Sequence, residues 1–185
     1  MSNNKENLTA QSEFKASGVL AEDGIKVSER SSIDALSQRG YGTVEKDMLT
    51  LAFYEALFLI DKQILSVKGK KGVELNFLNL LRAYENTDAN AWAHYTVYRD
   101  LRSRGYVIRE GFGAAIDFRI YERGTYGKDT APFLVLSTQE GQPLPMEDLG
   151  SAVGQTQSLK KELILAVMNR RGEIVYYSVS PLSFK

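Results

Sequence analysis

Few side chains in these 185 residues can carry reaction chemistry, and their types narrow it at once. The chain has no Cys and one His, His94. Without cysteine there is no disulfide framework, Cys-ligated zinc site, iron–sulfur cluster or thiol nucleophile. One imidazole supplies too few ligands for most His-based metal sites and at most one imidazole acid or base. His94 lies on a basic helical stretch one turn from Tyr98, where an exposed or half-buried helical side chain is the plain alternative to a catalytic one. Asp117 and Glu122 bracket an extended segment, as metal-binding carboxylates of nucleases do, but no Glu-x-Lys pair follows on the next such segment, so no metal site is expected. Tyr121 ends that segment opposite Ile116, Phe118 and Ile120, where a tyrosine is more often the end of an amphipathic strand than a catalyst. Arg99, Arg102, Arg104 and Arg109 can meet phosphate oxygens or form the solvated face of a helix, and helix geometry does not separate the two. The glycines at 69, 72, 111, 113, 124, 127 and 141 match neither a phosphate-cradling loop nor a dinucleotide fingerprint.

Lys and Arg number 23, as do Asp and Glu, but the balance is a cancellation of blocks. Residues 1–91 carry 11 basic and 13 acidic side chains, 92–128 carry 7 and 4, 129–159 carry 0 and 4, and 160–185 carry 5 and 2. Basic blocks on either side of a stretch without Lys or Arg suit a polyanion-facing surface and an acidic segment aimed at a basic partner; modest imbalances of this size also arise by chance. No run approaches the ~18–20 apolar residues of a membrane span. With no charged-then-apolar leader and no Cys, a cytoplasmic protein is expected.

The elements that must position these residues follow from periodicity. Residues 1–17 are polar and aperiodic, which predicts a flexible tail. GVLAEDGIKV predicts a hairpin about Asp23 and Gly24, and SSIDALSQRGYG a short helix stopped at Gly40. DMLTLAFYEALFLIDKQIL is apolar nearly all round from Met48 to Ile60, which predicts one core helix with Asp47 capping its first turn. A basic turn from Lys68 to Gly72 and a helix around NFLNLLRAY close a small N-terminal α/β domain, 18–84. The Asn- and Asp-rich run 85–90 reads as a linker. In 91–185, Trp92, Tyr95, Tyr98 and Leu101 share a helix face that ends at Gly105. The period then becomes two, and YVIRE, IDFRIY, FLVLS, ELILAVM and EIVYYSVS predict five strands, the last two joined by a hairpin over Asn169 to Gly172. A Pro-bearing acidic loop leading into a short helix separates FLVLS from ELILAVM. The C-terminal half is thus predicted as an α/β domain with a mixed central sheet, an α+β arrangement for the whole chain.

YTVYRDLRSRGYVIREG followed by DFRIYERG resembles the archaeal tRNA-splicing endonuclease family, whose C-terminal domain has a tyrosine-rich helix ending in DLR-x-RGY and a strand ending in DF-x-x-Y-x-x-G. The likeness continues through PFLVL, through SLKKELILAVMNRRGEIVYYSVS at the family's Ser-x-x-Lys helix start and two final strands, and through GYG and LAFYEALFLIDKQILSV in the N-terminal half. It covers roughly residues 18–180. It implies metal-free, cofactor-free RNA cleavage by the 2′-hydroxyl, leaving a 2′,3′-cyclic phosphate and a 5′-hydroxyl. The family assigns base, acid and electrostatic stabiliser to Tyr, His and Lys. Those positions fall on Tyr121, Thr130 and Lys161, and Arg99, Arg102, Arg104 and Lys160 are expected to face RNA.

The resemblance breaks where the chemistry is most demanding. Thr130 cannot supply a proton near neutral pH as an imidazolium does, and losing a positioned acid typically costs about 10²–10⁴-fold. The family's Gly-x-Lys-aromatic-Gly-x-Asp segment is GFGAAID here, Gly111 to Asp117. The arginine it places seven residues before the lysine, to hold an extruded base by cation–π stacking, is Gly154. The resemblance therefore implies a structural subunit, paired in a heterotetramer with a catalytic paralogue that acts on precursor tRNA at bulge–helix–bulge sites. The alternatives are an active endoribonuclease relying on Tyr121 and Lys161, and a general RNA-binding protein on the same fold. Docking is expected through an acidic loop over 140–148, with Glu140, Glu147 and Asp148 as its charges, and through the C-terminal strand 173–182, with Val175, Tyr176, Tyr177, Val179 and Leu182 for strand pairing.

Overall fold

The computed structural model describes residues 14–69, 71–113 and 115–182. In the N-terminal half, the hairpin expected about Gly24 forms between β1 (Ala16–Ala21) and β2 (Gly24–Val27). Beyond it come α1 (Arg30–Gln38), β3 (Thr43–Glu45), β4 (Met48–Leu51), α2 (Phe53–Asp61), β5 (Leu65–Lys68), β6 (Glu74–Leu75) and α3 (Phe77–Glu85). The strands make one sheet in the order β3-β4-β2-β1-β5-β6, with only β1 and β5 parallel. β1 begins at Ala16, inside the segment expected to be tail; the rest of that segment, 1–13, lies outside the described residues.

The apolar run after Asp47 is a correction. Met48–Leu51 is a strand, the helix starts only at Phe53, and the Asp47 side chain is 98% exposed and caps nothing. A continuous apolar run does not distinguish a strand buried in a sheet from a helix buried in a core, and here it contains both. What starts α2 is Glu55, whose carboxylate reaches back to accept the Ala52 N–H at 2.9 Å. Asn76 caps α3 by accepting the Asn79 N–H at 2.9 Å.

In the C-terminal half, α4 (Ala91–Ser103) is followed by β7 (Val107–Glu110), β8 (Phe118–Tyr121), β9 (Phe133–Gln139), α5 (Met146–Ser158), β10 (Glu162–Met168) and β11 (Ile174–Val179). These are the five strands predicted from the period of two, and the sheet order is β11-β10-β9-β8-β7. β9 and β10 are parallel and the other pairs antiparallel, because α5 carries the chain back across the sheet. Glu147 and Asp148 were expected in a loop but lie in the first turn of α5, where a helix N-terminus favours negative charge. Ser158 to Lys161, expected at a helix start, forms the C-terminal end of that helix. Trp92 leaves the α4 core face and is 40% exposed.

Residues 86–90 connect α3 to α4, and a single apolar core runs beneath that connection. From α2, Tyr54 meets Tyr98 of α4 at 4.9 Å and Phe118 of β8 edge-on at 5.2 Å, while Phe58 meets Tyr98 at 5.9 Å. Such aromatic pairs are worth about 0.5–1.5 kcal/mol each beyond the area they bury. The chain's most apolar helix therefore packs the two halves against each other.

Candidate active site

Tyr121, Thr130 and Lys161 are 40 residues apart in sequence from first to last, and sheet register gathers them. Ile120 pairs with Phe133, and Phe133 pairs with Glu162. One residue beyond these pairs, Tyr121 and Lys161 flank Pro132 from either side, with Thr130 two residues upstream of it. Strands lie about 4.8 Å apart, so the Tyr121 and Lys161 backbones are about 10 Å apart across one end of the sheet.

Lys161 is aimed by the end of α5. The Lys160 N–H donates to the Gln157 carbonyl at 3.0 Å and the Lys161 N–H to the Thr156 carbonyl at 2.9 Å, with Lys160 itself at φ +54°. This is a Schellman ending with lysine where glycine is usual. It turns the chain straight into β10, and the half-buried Lys161 ammonium donates to the Ala131 carbonyl. Tyr121 packs edge-on against Tyr126 of the loop that follows β8, with ring centroids 5.1 Å apart. The Tyr126 ring also lies on the bare backbone of Gly40, where a Cβ would come within 3.3 Å of it and 2.6 Å of Val107. Nothing in the sequence pattern marked Tyr126 as part of this group. Thr130 is exposed. A phenol and an ammonium at one strand end can move a proton and stabilise phosphate charge, but no imidazole stands between them.

His94 is at the other end of β8. Its Nδ1 is 2.6 Å from Asp88 Oδ2 and 3.4 Å from the Tyr84 hydroxyl, and its Nε2 is 3.3 Å from Asp117 Oδ1. Asp117 precedes Tyr121 by four residues, about 13 Å of strand. Burial lowers the affinity of the His94 ring for a proton, but the hydrogen bond and charge of Asp117, joined by Asp88, outweigh it and hold its pKa above the ordinary value. Both Asp117 oxygens are engaged, since Oδ2 accepts the Ser137 N–H at 2.5 Å.

The cations expected at RNA divide. Arg102 is not free for phosphate: it donates to the Tyr106 carbonyl at 3.1 Å and to the Arg39 carbonyl, and its guanidinium lies 4.0 Å from the centroid of the Tyr41 ring, so it fastens α4 to the end of α1. Arg109 likewise donates to the Gly40 carbonyl at 3.2 Å and to Thr43 Oγ1 at 2.9 Å. Arg104 pairs with Asp100 at 2.8 Å, Arg99 lies over the Tyr95 ring, and Lys160 is exposed. Glu140, Glu147 and Asp148 are all exposed. Along β11, Val175 and Tyr177 are 47% and 52% exposed, but Tyr176 points inward and donates to Asp100 Oδ2 at 2.7 Å. Tyr176, expected with Val175 and Tyr177 for strand pairing, faces the other side of the sheet from them, since alternate strand residues face opposite sides. Burial and the Asp100 carboxylate push its phenol well above the usual range. Among the described residues no helix is long and apolar enough to cross a membrane.

Comparison with known proteins identifies the family. The family model described as tRNA intron endonuclease, N-terminal domain, matches residues 16–81, and that described as tRNA intron endonuclease, catalytic C-terminal domain, matches 91–176. The chain is 32% identical to a tRNA-splicing endonuclease of Methanococcus maripaludis over 88% of this chain and 92% of that one. It is 30% identical to one from Pyrococcus horikoshii over 89% and 95%. A longer relative with the same name, from Methanosarcina acetivorans, is 31% identical over 83% of this chain but only 43% of its own length. In domain order, fold and sequence, the chain belongs to the tRNA intron endonuclease family.

Proposed function

We propose that this chain is a structural, non-catalytic subunit of a heterotetrameric, cytoplasmic archaeal tRNA-splicing endonuclease, in which a paralogue with the full Tyr, His and Lys set cuts precursor tRNA. The observation that carries this reading is the fate of the imidazole. The family's histidine position is the exposed Thr130, and the one histidine present is held by Asp88 and Asp117 at the far end of β8. Tyr121 and Lys161 remain paired about Pro132, so the fold of the site survives without its acid. Gly154, at the family's base-clamping arginine, has nothing within 4 Å of where a Cβ would stand.

Two surfaces support the assembly role. The first turn of α5 presents Glu147 and Asp148 beside a 77% exposed Met146, a charged and apolar patch suited to a basic cleft. β11 is an edge strand with Val175 and Tyr177 outward, a row of unpaired backbone groups open to another strand. Arg99, Arg104 and Lys160 remain the candidates for RNA phosphates.

The test is cleavage of a precursor tRNA bearing a bulge–helix–bulge intron, by this chain alone and after co-expression with a paralogue that retains the histidine. Cleavage only by the pair is expected. Robust cleavage by the lone chain, giving 2′,3′-cyclic phosphate ends, would overturn the structural reading and favour an active endoribonuclease built on Tyr121 and Lys161.

A further inference from the structure

We propose that His94 is a charged latch: its imidazolium, clamped between Asp88 in the connection of the two halves and Asp117 at the head of β8, fastens that connection to the C-terminal sheet and releases it as pH rises.

The geometry demands a cation. A neutral imidazole has one N–H, whereas here each ring nitrogen faces a carboxylate oxygen, at 2.6 and 3.3 Å. A neutral ring would set a lone pair against one of them; the imidazolium hydrogen-bonds Asp88 through Nδ1 and places its charge beside Asp117 through Nε2. The other groups facing the ring add no competing cation. Tyr84 approaches from α3, and Glu110 of β7 and Tyr54 of α2 line the same cavity of about 290 Å³. Among the described residues lining that cavity, His94 is the only group that can be positive. Because the ring sits on the cavity wall with its side chain 15% exposed, its proton can exchange with solvent.

Each carboxylate carries the clamp into the backbone. Asp88 Oδ1 accepts the Asn90 N–H at 2.8 Å, just before α4. Asp117 accepts the Ser137 N–H of β9 through its side chain, its own N–H donates to the Val135 carbonyl at 2.8 Å, and its carbonyl accepts the Gly111 N–H at 2.7 Å. The ring thus spans the connection, α4 and the β8–β9 pair. Loss of its proton leaves two partly buried carboxylates with a single N–H between them, so that one of the two faces a nitrogen lone pair.

The direction of the pH effect follows from the raised pKa. The latch contributes fully below the unfolded histidine value of about 6.5 and is lost as pH rises through the higher folded value. Between the two values the folding constant falls by up to about tenfold per pH unit.

Because His94 is the chain's only histidine, long-range proton–nitrogen correlation spectra of the intact protein read it directly. Both ring nitrogens are expected to be protonated below the folded midpoint, and that midpoint is expected above that of the same chain in urea and lowered by Asp117→Asn. In thermal melts, the gap between wild type and His94→Gln should narrow as pH rises from the unfolded value to the folded midpoint and stay level beyond it. A midpoint no higher than in urea, or a pH-independent gap, overturns the proposal. If His94→Gln does not fold, the wild-type titration decides.

Discussion

Replacing Glu55 with Ala removes the acceptor that joins three elements at the junction of the halves. The side chain is 4% exposed. Its Oε2 accepts the Ala52 N–H at 2.9 Å and the Gly42 N–H at 3.1 Å, Oε1 lies 3.0 Å from the same Gly42 nitrogen, and Arg109 Nη1 is 3.5 Å from Oε1. Burial pushes its pKa up, opposed by Arg109 and by the Gly42 and Ala52 N–H groups. In Glu55→Ala the two N–H donors lose their partner, each at a cost of about 1–3 kcal/mol. The adjoining cavity, lined by Ala52 and Arg109, admits water and places the cost near the lower end, about 1–1.5 kcal/mol per donor. Arg109 keeps the Gly40 carbonyl and Thr43, so it is not left as an unpaired buried charge. The expected loss is therefore about 2–3 kcal/mol, a melting point lowered by roughly 4–12 °C in a protein of this size. Glu55→Gln separates the terms, because an amide oxygen at the Oε2 position still accepts from both Ala52 and Gly42. It sets an NH2 in place of Oε1, against Arg109 and the Gly42 N–H, and keeps both Oε2 bonds, so it should cost about 1–1.5 kcal/mol. Urea unfolding of the three proteins measures both values. Equal destabilisation by Gln and Ala would refute the reasoning, since it would make the Arg109 charge pair, not the backbone donors, the main interaction.

Other substitutions test the site and its surroundings. Gly111→Ala sets a Cβ 1.8 Å from the Ile116 carbonyl oxygen, so the turn feeding β8 must open; a loss of more than about 3 kcal/mol is expected in urea unfolding, and near-neutral behaviour would contradict the packing. Lys160→Gly relieves the left-handed backbone at φ +54° and should raise stability by about 1 kcal/mol in thermal melts, while weakening precursor tRNA binding if this cation faces RNA. Reversing Glu147 and Asp148 to Lys leaves the core untouched and costs α5 about 0.3–1 kcal/mol per charge. The assembly reading expects sizing columns to show loss of the complex with the paralogue; unchanged elution counts against the docking role.

Local patterning carried most of the C-terminal half. The shift from a helical period to a period of two after Gly105 marks α4 and the five strands, and the turn over Asn169 to Gly172 forms as that spacing requires, with Gly172 at φ +78°. The N-terminal sheet was harder to read. β3 and β6 are three and two residues long, too short for any period to show, and β4 hides inside an apolar run continuous with α2. Only the tertiary structure separates that run, because burial in a sheet and burial in a helix select the same side chains.

Composition alone determined that the chain has one imidazole and no thiol, and the resemblance reads Thr130 at the position where the family has its acid. Residue identity is what a sequence states directly. Where the imidazole goes is a fact about distance. Asp88 and Asp117 lie six residues before and 23 residues after His94, and no spacing rule links them. Packing of α4 between the connection and the head of β8 brings them to the two sides of one ring. The same holds for Arg102, whose basic stretch fits an RNA-facing helix until Tyr41 and the Arg39 carbonyl arrive from the other half. A charged side chain is read as surface until the fold supplies its partners, and these partners come from elements that only a shared core brings together.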